Sequence, residues 1–233
     1  MSDAYAVIGN PITHSKSPLI HAEFSKQTKQ DMHYEALFAP LNGFTEAIKL
    51  FQQNDGKGMN VTIPFKSHAY KISTQLTEQA EAAQAVNTLV FNGNEIHGHN
   101  TDGTGLIRDI ITNHGFTITS KRILLCGAGG AASGIILPLL KQKPSELVIS
   151  NRTLQKAYKL QTQFSSYNNI IVSDNNMDIC EKEFDLVINA TSTSLIGKPL
   201  LLPQGIFATG SLAYDLMYGN EQTPFLQFSQ KEG

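Results

Sequence analysis

Lys121-Arg-Ile-Leu-Leu-Cys-Gly-Ala-Gly-Gly-Ala-Ala-Ser-Gly134 decides how this chain is read. Residues 123–126 are a short apolar run, which predicts a buried strand. The glycines predict a turn, and residues 135–140 predict the body of a helix. Gly127, Gly129 and Ala132 fit the spacing G-x-G-x-x-[G/A]. At such a turn the first glycine permits a tight exit from the strand. The second lets the backbone approach a pyrophosphate, and the third small residue lets helix and sheet pack closely. The helix start adds free N–H groups and a positive dipole end. A bare turn is the alternative, but the flanking strand and helix favour a dinucleotide site.

The next apolar run, Glu146-Leu-Val-Ile-Ser150, should end beside the adenosine ribose. A site for NAD usually carries Asp or Glu there, to bind the ribose 2′-hydroxyl. This chain has Asn151-Arg152-Thr153 instead. A guanidinium attracts a 2′-phosphate and can bind it with two hydrogen bonds, where a carboxylate would repel it. The chain has three arginines, Arg108, Arg122 and Arg152, and one of them falls at this spot. The reading is NADP over NAD, with Lys156 adding charge one helical turn later. A solvated arginine ahead of a helix is the alternative.

At 233 residues the chain suits one large domain or two small ones. A net charge of −2 leaves no basic excess for nucleic acid. No apolar run reaches the roughly 18 residues of a membrane span. Met1-Ser-Asp-Ala-Tyr-Ala-Val-Ile8 lacks the basic and apolar regions of a signal peptide, so the cytoplasm is the expected location. Cys126 and Cys180 are too few for a disulfide framework.

Outward from the glycine turn, strands and helices alternate, which argues for α/β layers throughout. Strands are expected at residues 5–9, 33–38 and 58–63, the last ended by Pro64, and helices at 18–29, 44–51 and 77–85. Residues 86–91 and 95–99 read as a strand pair turning at Asn92-Gly93. Asn100-Thr-Asp-Gly103 opens a helix with Leu106, Ile107, Ile110 and Ile111 on one face. Further strands are expected near 170–172, 185–190 and 212–216. Two domains follow: residues 1–101, rejoined by about 215–233, and a doubly wound Rossmann-type domain over 102–214 that holds the dinucleotide.

The residues that could carry chemistry lie in loops of the first domain. Ser15 and Ser17 flank Lys16, and two hydroxyls at alternate positions can bind one carboxylate. A helix cap plus an exposed serine is the alternative. Asn60 and Thr62 share a strand face, because side chains alternate with period two. Lys66 follows Pro64-Phe65 at the end of that strand, and Asn87 opens another in an apolar run. Asp102 stands at a helix start, where capping would also explain it. The seven histidines show no zinc spacing, and no Gly-x-Ser-x-Gly elbow is present, so neither a metal nor a serine nucleophile is expected.

These pieces resemble the shikimate dehydrogenase family over nearly the whole chain. The resemblance rests on His14-Ser-Lys-Ser-Pro18, Asn60-Val-Thr-Ile-Pro-Phe-Lys66, Ala85-Val-Asn-Thr88, Asn100-Thr-Asp-Gly103, Gly127-Ala-Gly-Gly-Ala131 and Asn151-Arg-Thr153. It implies reversible reduction of 3-dehydroshikimate to shikimate with NADPH, in the chorismate route to aromatic amino acids. It implies Lys66 as catalytic acid/base with Asp102 beside it. It implies Ser15, Ser17, Asn60, Thr62, Asn87, Asp102 and Tyr218 around the substrate, in a cleft between the domains. Gly127, Ala128, Gly129, Gly130 and Ala131 would hold the pyrophosphate. Asn151, Arg152, Thr153 and Lys156 would hold the 2′-phosphate, and Glu78, Thr191 and Leu216 would lie toward the nicotinamide. A homodimer is allowed. The rivals are an NAD(P)-dependent quinate/shikimate dehydrogenase and a non-catalytic NADP-binding protein.

Two departures accompany the resemblance. Lys156 stands where many family members carry arginine, which implies a weaker phosphate clamp. The sequence also stops at Gly233, short of the Gly-Leu-Gly-Met motif and glutamine-bearing helix that usually follow. On that ground tighter binding of NADP than of shikimate is expected.

Overall fold

A computed structural model describes residues 2–167, 170–173, 179, 182–193, 199–219 and 221–232. Cys180 lies outside the described residues. The chain forms two compact units, Met1–Thr101 and Asp102–Gly233.

The first unit is built from strands β1 (Asp3–Gly9), β2 (Met32–Phe38), β3 (Gly56–Val61), β4 (Gln75–Leu76), β5 (Thr88–Asn92) and β6 (Glu95–His99). Its helices are α1 (Ser17–Thr28), α2 (Phe44–Gln53), α3 (Lys66–Ile72) and α4 (Glu78–Ala83). The sheet order is β2-β1-β3-β5-β6-β4. β1 pairs in parallel with β2 and β3, and its Ala6, Val7 and Ile8 are buried. β5 and β6 form the antiparallel pair expected from Asn92-Gly93. On α2, Phe44, Ile48 and Phe51 are buried, at the i, i+4, i+7 spacing of one helix face. Phe44 stacks on Phe65 with ring centroids 4.9 Å apart, and both belong to a core with Ile8, Val61, Val86 and Leu89.

Lys66 does not end a strand. β3 stops at Val61, the Phe65 N–H closes a turn on the Thr62 carbonyl (2.9 Å), and Lys66 is the first residue of α3. Pro64 is the physical reason: without an N–H it cannot continue the ladder. Asn87 likewise precedes its strand, which begins at Thr88.

The second unit contains α5 (Asp102–Arg108), a π turn (Asp109–Asn113), β7 (Arg122–Cys126), α6 (Gly130–Lys141), β8 (Glu146–Ser150), α7 (Leu154–Gln163), β9 (Ile170–Ser173), β10 (Phe184–Asn189), β11 (Phe207–Asp215) and α8 (Pro224–Glu232). All pairings in its sheet are parallel, in the order β11-β10-β7-β8-β9. This is a doubly wound order whose direction reverses between β7 and β10, the position where such sheets take ligands. The inner strands β7, β8 and β10 read as near-continuous apolar runs because both faces are covered. α6 is buried over 132–140, all round its circumference. Gly103 on α5 packs so close to α6 that a Cβ there would lie 2.8 Å from the Gly134 carbonyl oxygen. That approach fixes where Asp102 leaves the first turn of α5.

Two expectations change here. Of the stripe expected after Asp102, Leu106 and Ile110 are buried, but Ile111 is 43% exposed. At about 100° per residue Ile111 lies about 140° round from Leu106, outside the buried face. The segment from Asp215 onward groups with the second unit, where the sequence reading returned it to the first. Phe225 on α8 is 1% exposed and packs in a core with Leu124, Val148, Phe184 and Val187, and that apolar burial holds the segment.

Candidate active site

The second unit sets its chemistry along one edge. The last paired residues of its strands align as Asp215, Asn189, Cys126, Ser150 and Ser173. Gly127, Asn151, Thr191 and Leu216 leave the sheet from that same carboxyl edge. Gly127 has φ +118°, and a Cβ on it would meet the Ala190 carbonyl carbon and oxygen at 3.0 Å. The glycine turn is therefore folded onto the chain leaving β10, at the switch point. Gly129, by contrast, caps α6 in an extended conformation, and a Cβ there would meet nothing within 4 Å. Among the described residues no atom crowds this glycine, so the exposed start of α6 leaves room for an anionic group. Ala128 and Ala131 are half-buried beside it, and Gly130 is exposed. Cys126 is buried with its thiol pushed up to about 12 by desolvation, so it is no nucleophile here.

Beyond Ser150, the Asn151 amide donates to the Thr153 carbonyl (2.8 Å), and the Lys156 N–H closes on the same oxygen (3.0 Å). Arg152, Thr153 and Lys156 are exposed around this turn. Arg122 is committed at the opposite edge, where its Nε donates to Glu146 (2.8 Å). The residues present fit an NADP site: an open cradle, a helix start, an arginine, and no carboxylate after Ser150.

Behind this edge runs a polar network that the sequence reading missed. Asn189 is 0% exposed; its amide donates to Asp215 (3.1 Å), and its side-chain oxygen accepts from the Thr191 N–H (3.0 Å) and hydroxyl (2.7 Å). Asp215 also accepts from the Met217 N–H (2.9 Å) and from Thr223 (2.6 Å). The Leu216 N–H donates to the Asn189 carbonyl (3.0 Å). Thr191 and Leu216 are thus held by buried hydrogen bonds. The signal in the sequence was an asparagine closing an apolar run. Tyr218 is 63% exposed a few residues on.

In the first unit the candidates gather on a second track. The Tyr34 hydroxyl donates to Asn60 Oδ1 (2.6 Å), and Asn60 Nδ2 donates to Thr88 Oγ1 (3.2 Å). Thr88 donates to Asn87 Oδ1 (2.9 Å), and Asn87 Nδ2 to Thr101 Oγ1 (2.9 Å). At the other end the Tyr34 ring stacks on His21 of α1, one helical turn after Ser17. Asn60 and Asn87 are therefore brought together by Tyr34, Thr88 and Thr101, which sequence reasoning passed over. Thr88 closes the Ala85-Val-Asn-Thr88 motif, and Tyr34 is a polar-tipped residue in an alternating strand; both signals were weak. Ser15 accepts from the Ser17 N–H (3.3 Å), so its hydroxyl also serves the start of α1. The methyl of Thr62 packs on Gly9, where a Cβ would come within 2.6 Å of it. The Lys66 carbonyl accepts from Val86 N–H (2.9 Å), which ties the start of α3 to the residue before Asn87. Glu78 sits in the first turn of α4, behind the cap Thr77. Asp102 opens α5 directly after Thr101.

The two halves of the chain match two family models. One, the shikimate dehydrogenase substrate binding domain, covers residues 7–89; the other, shikimate / quinate 5-dehydrogenase, covers residues 110–198. The chain belongs to the shikimate dehydrogenase family. Shikimate dehydrogenase (NADP(+)) of Nitrosospira multiformis is 58% identical over 233 residues, which are 100% of this chain and 84% of the relative. The enzyme of that name from Dechloromonas aromatica is 55% identical, over 100% and 85%. The crystal structure of shikimate 5-dehydrogenase from Thermus thermophilus, in complex with NADP(H) and shikimate, superposes with a TM-score of 0.86 at 28% identity. It covers 99% of this chain and 85% of that one.

Proposed function

We propose that this chain is an NADP-dependent shikimate dehydrogenase, catalysing the reversible reduction of 3-dehydroshikimate to shikimate on the chorismate route to aromatic amino acids. Identity of 58% along all 233 residues to shikimate dehydrogenase (NADP(+)) carries this reading. The first unit takes the substrate and the second the cofactor. NADPH, when bound, supplies a hydride to the ketone carbon. Lys66 donates the proton that the forming alkoxide needs, and takes it back in the reverse direction. Asp102 orients Lys66 or the reacting hydroxyl. Ser15, Ser17, Asn60, Thr62, Asn87 and Tyr218 hold the substrate. Residues 127–131 hold the pyrophosphate through backbone N–H groups, and Asn151, Arg152, Thr153 and Lys156 hold the 2′-phosphate. Thr191, Leu216 and Glu78 flank the nicotinamide. The working location is the cytoplasm, the partners are small molecules rather than nucleic acid or membrane, and a homodimer is compatible with this reading.

A quinate/shikimate dehydrogenase is the second reading, favoured only by the wording of the family model over residues 110–198. Steady-state rates of NADP reduction with shikimate and with quinate, for the parent chain and for Lys66→Ala, separate the possibilities. Shikimate should be oxidised faster than quinate. Lys66→Ala should lower kcat by about 10²–10⁴-fold, the usual worth of a general acid, while still binding NADPH. No oxidation of shikimate would reject the function. A kcat above about a tenth of the parent's in Lys66→Ala would reject the acid role.

A further inference from the structure

The antiparallel register of β3 and β5 sets Thr88 directly opposite Asn60, so their side chains share a face. Thr88 also follows Asn87 in the chain, and its hydroxyl bonds to both asparagines, to Asn60 Nδ2 at 3.2 Å and to Asn87 Oδ1 at 2.9 Å. We infer that Thr88 is a positioning residue for the substrate, coupling the two carboxamides so that Asn60 keeps one orientation relative to Asn87. This rests on the reading above that Asn60 and Asn87 hold the substrate.

A carboxamide turned over exchanges its donor and its acceptor while filling the same space, so packing alone does not choose between the two orientations. Hydrogen bonds choose here, beginning at Thr101. Its backbone N–H can only donate and lies 3.0 Å from the Asn87 side chain, so Asn87 Oδ1 is the atom that faces it. The Thr88 hydroxyl, 2.9 Å from the same oxygen, must then give it its one proton. With that proton spent the Thr88 oxygen accepts, and the Asn60 atom facing it is Nδ2. That turns Asn60 Oδ1 toward the Tyr34 hydroxyl, which donates to it at 2.6 Å. The Asn87 carbonyl, an acceptor only, lies 3.5 Å from Asn60 Nδ2 and agrees with this sense. Tyr34 by itself would not choose, since a phenol can donate to Oδ1 or accept from Nδ2. The backbone of Asn87 is pinned on both sides, its N–H on the His99 carbonyl (2.9 Å) and its carbonyl on the Val61 N–H (2.7 Å). The strands thus fix where the two amides stand, and Thr88 passes the sense set at Thr101 on to Asn60.

The test is a double-mutant cycle on Thr88→Val and Asn60→Ala, read as KM and kcat for shikimate and KM for NADP. Valine keeps a β-branched shape that suits a strand and removes the hydroxyl. Thr88→Val should raise KM for shikimate by roughly 3- to 10-fold, the ordinary worth of a hydrogen bond, with KM for NADP unchanged. Thr88→Ser keeps the hydroxyl and should stay close to the parent. In the Asn60→Ala background Thr88→Val should cost clearly less, because the group being positioned is gone. KM does not depend on how much of the chain is folded, so lost stability alone moves none of these values. Equal losses in both backgrounds, an unchanged KM in Thr88→Val, or a Thr88→Ser as impaired as Thr88→Val would overturn the positioning role. An unchanged KM in Asn60→Ala would overturn the substrate-site reading of Asn60 and this inference with it.

Discussion

At the scale of the residue, we propose that cofactor choice depends on Arg152. Its neighbours are fixed by the Asn151 amide on the Thr153 carbonyl, so the guanidinium projects from an ordered turn at the carboxyl edge. Arg122 is occupied by Glu146 at the other edge and cannot substitute. Replacing Arg152 with alanine should remove a charge-assisted contact worth roughly 1.5–3 kcal/mol. Affinity for NADP should then fall about 10-fold or more while NAD changes little, as titration with both cofactors would reveal. Equal losses for the two would mean that Arg152 does not read the 2′-phosphate. The residue type and the missing carboxylate were legible in the sequence. The distant position of Arg122 was not, because it depends on which end of β7 each residue occupies.

At the scale of the element, the strand–turn–helix around residue 127 uses its glycines differently. Gly127 needs a positive φ and lies against backbone leaving β10. Gly127→Ala should therefore destabilise the protein by about 1–3 kcal/mol and lower its thermal midpoint. Gly129 has ordinary φ and open space above it. Gly129→Ala should leave the thermal midpoint nearly unchanged but weaken NADP binding, because the methyl enters the cradle. Undiminished NADP affinity in Gly129→Ala would show that the pyrophosphate does not approach there. The motif spacing already separates the two roles, but not the partner: the Gly127 contact comes from Ala190, far along the chain.

At the scale of the whole molecule, acid should act first on the second unit. Asp185 accepts from Lys121 (2.8 Å) and the Arg122 N–H (2.9 Å), and Glu146 accepts from Arg122 (2.8 Å) and Lys182 (3.4 Å). Burial raises both carboxyls, but these hydrogen bonds and charges outweigh it and hold both below their ordinary values of 3.8 and 4.5. A carboxyl with a depressed pKa binds fewer protons folded than unfolded. Its stabilisation is complete above the ordinary value and is lost as pH falls through the folded one. Thermal midpoints should thus stay level down to about pH 4.5 and then drop. Glu146→Gln should start lower at neutral pH and lose less on acidification. An acid limb as steep in Glu146→Gln as in the parent would exclude this cluster as the cause.

The sequence by itself determined the α/β class and the glycine turn with its strand and helix. Each is local: apolar runs, breakers and small residues act within a few positions of one another. It also carried enough motif to mark Lys66, Asn60, Asn87 and the two serines as candidates. Only the tertiary structure decided that Lys66 opens a helix, since the turn closes through the Thr62 carbonyl. Only it joined Tyr34 to Asn60, because that bond spans strands whose order in the sheet differs from their order in the chain. The Asn189–Asp215 network and the burial of Phe225 in the second core belong to the same class. They join residues distant in sequence, and no local spacing encodes which of them meet.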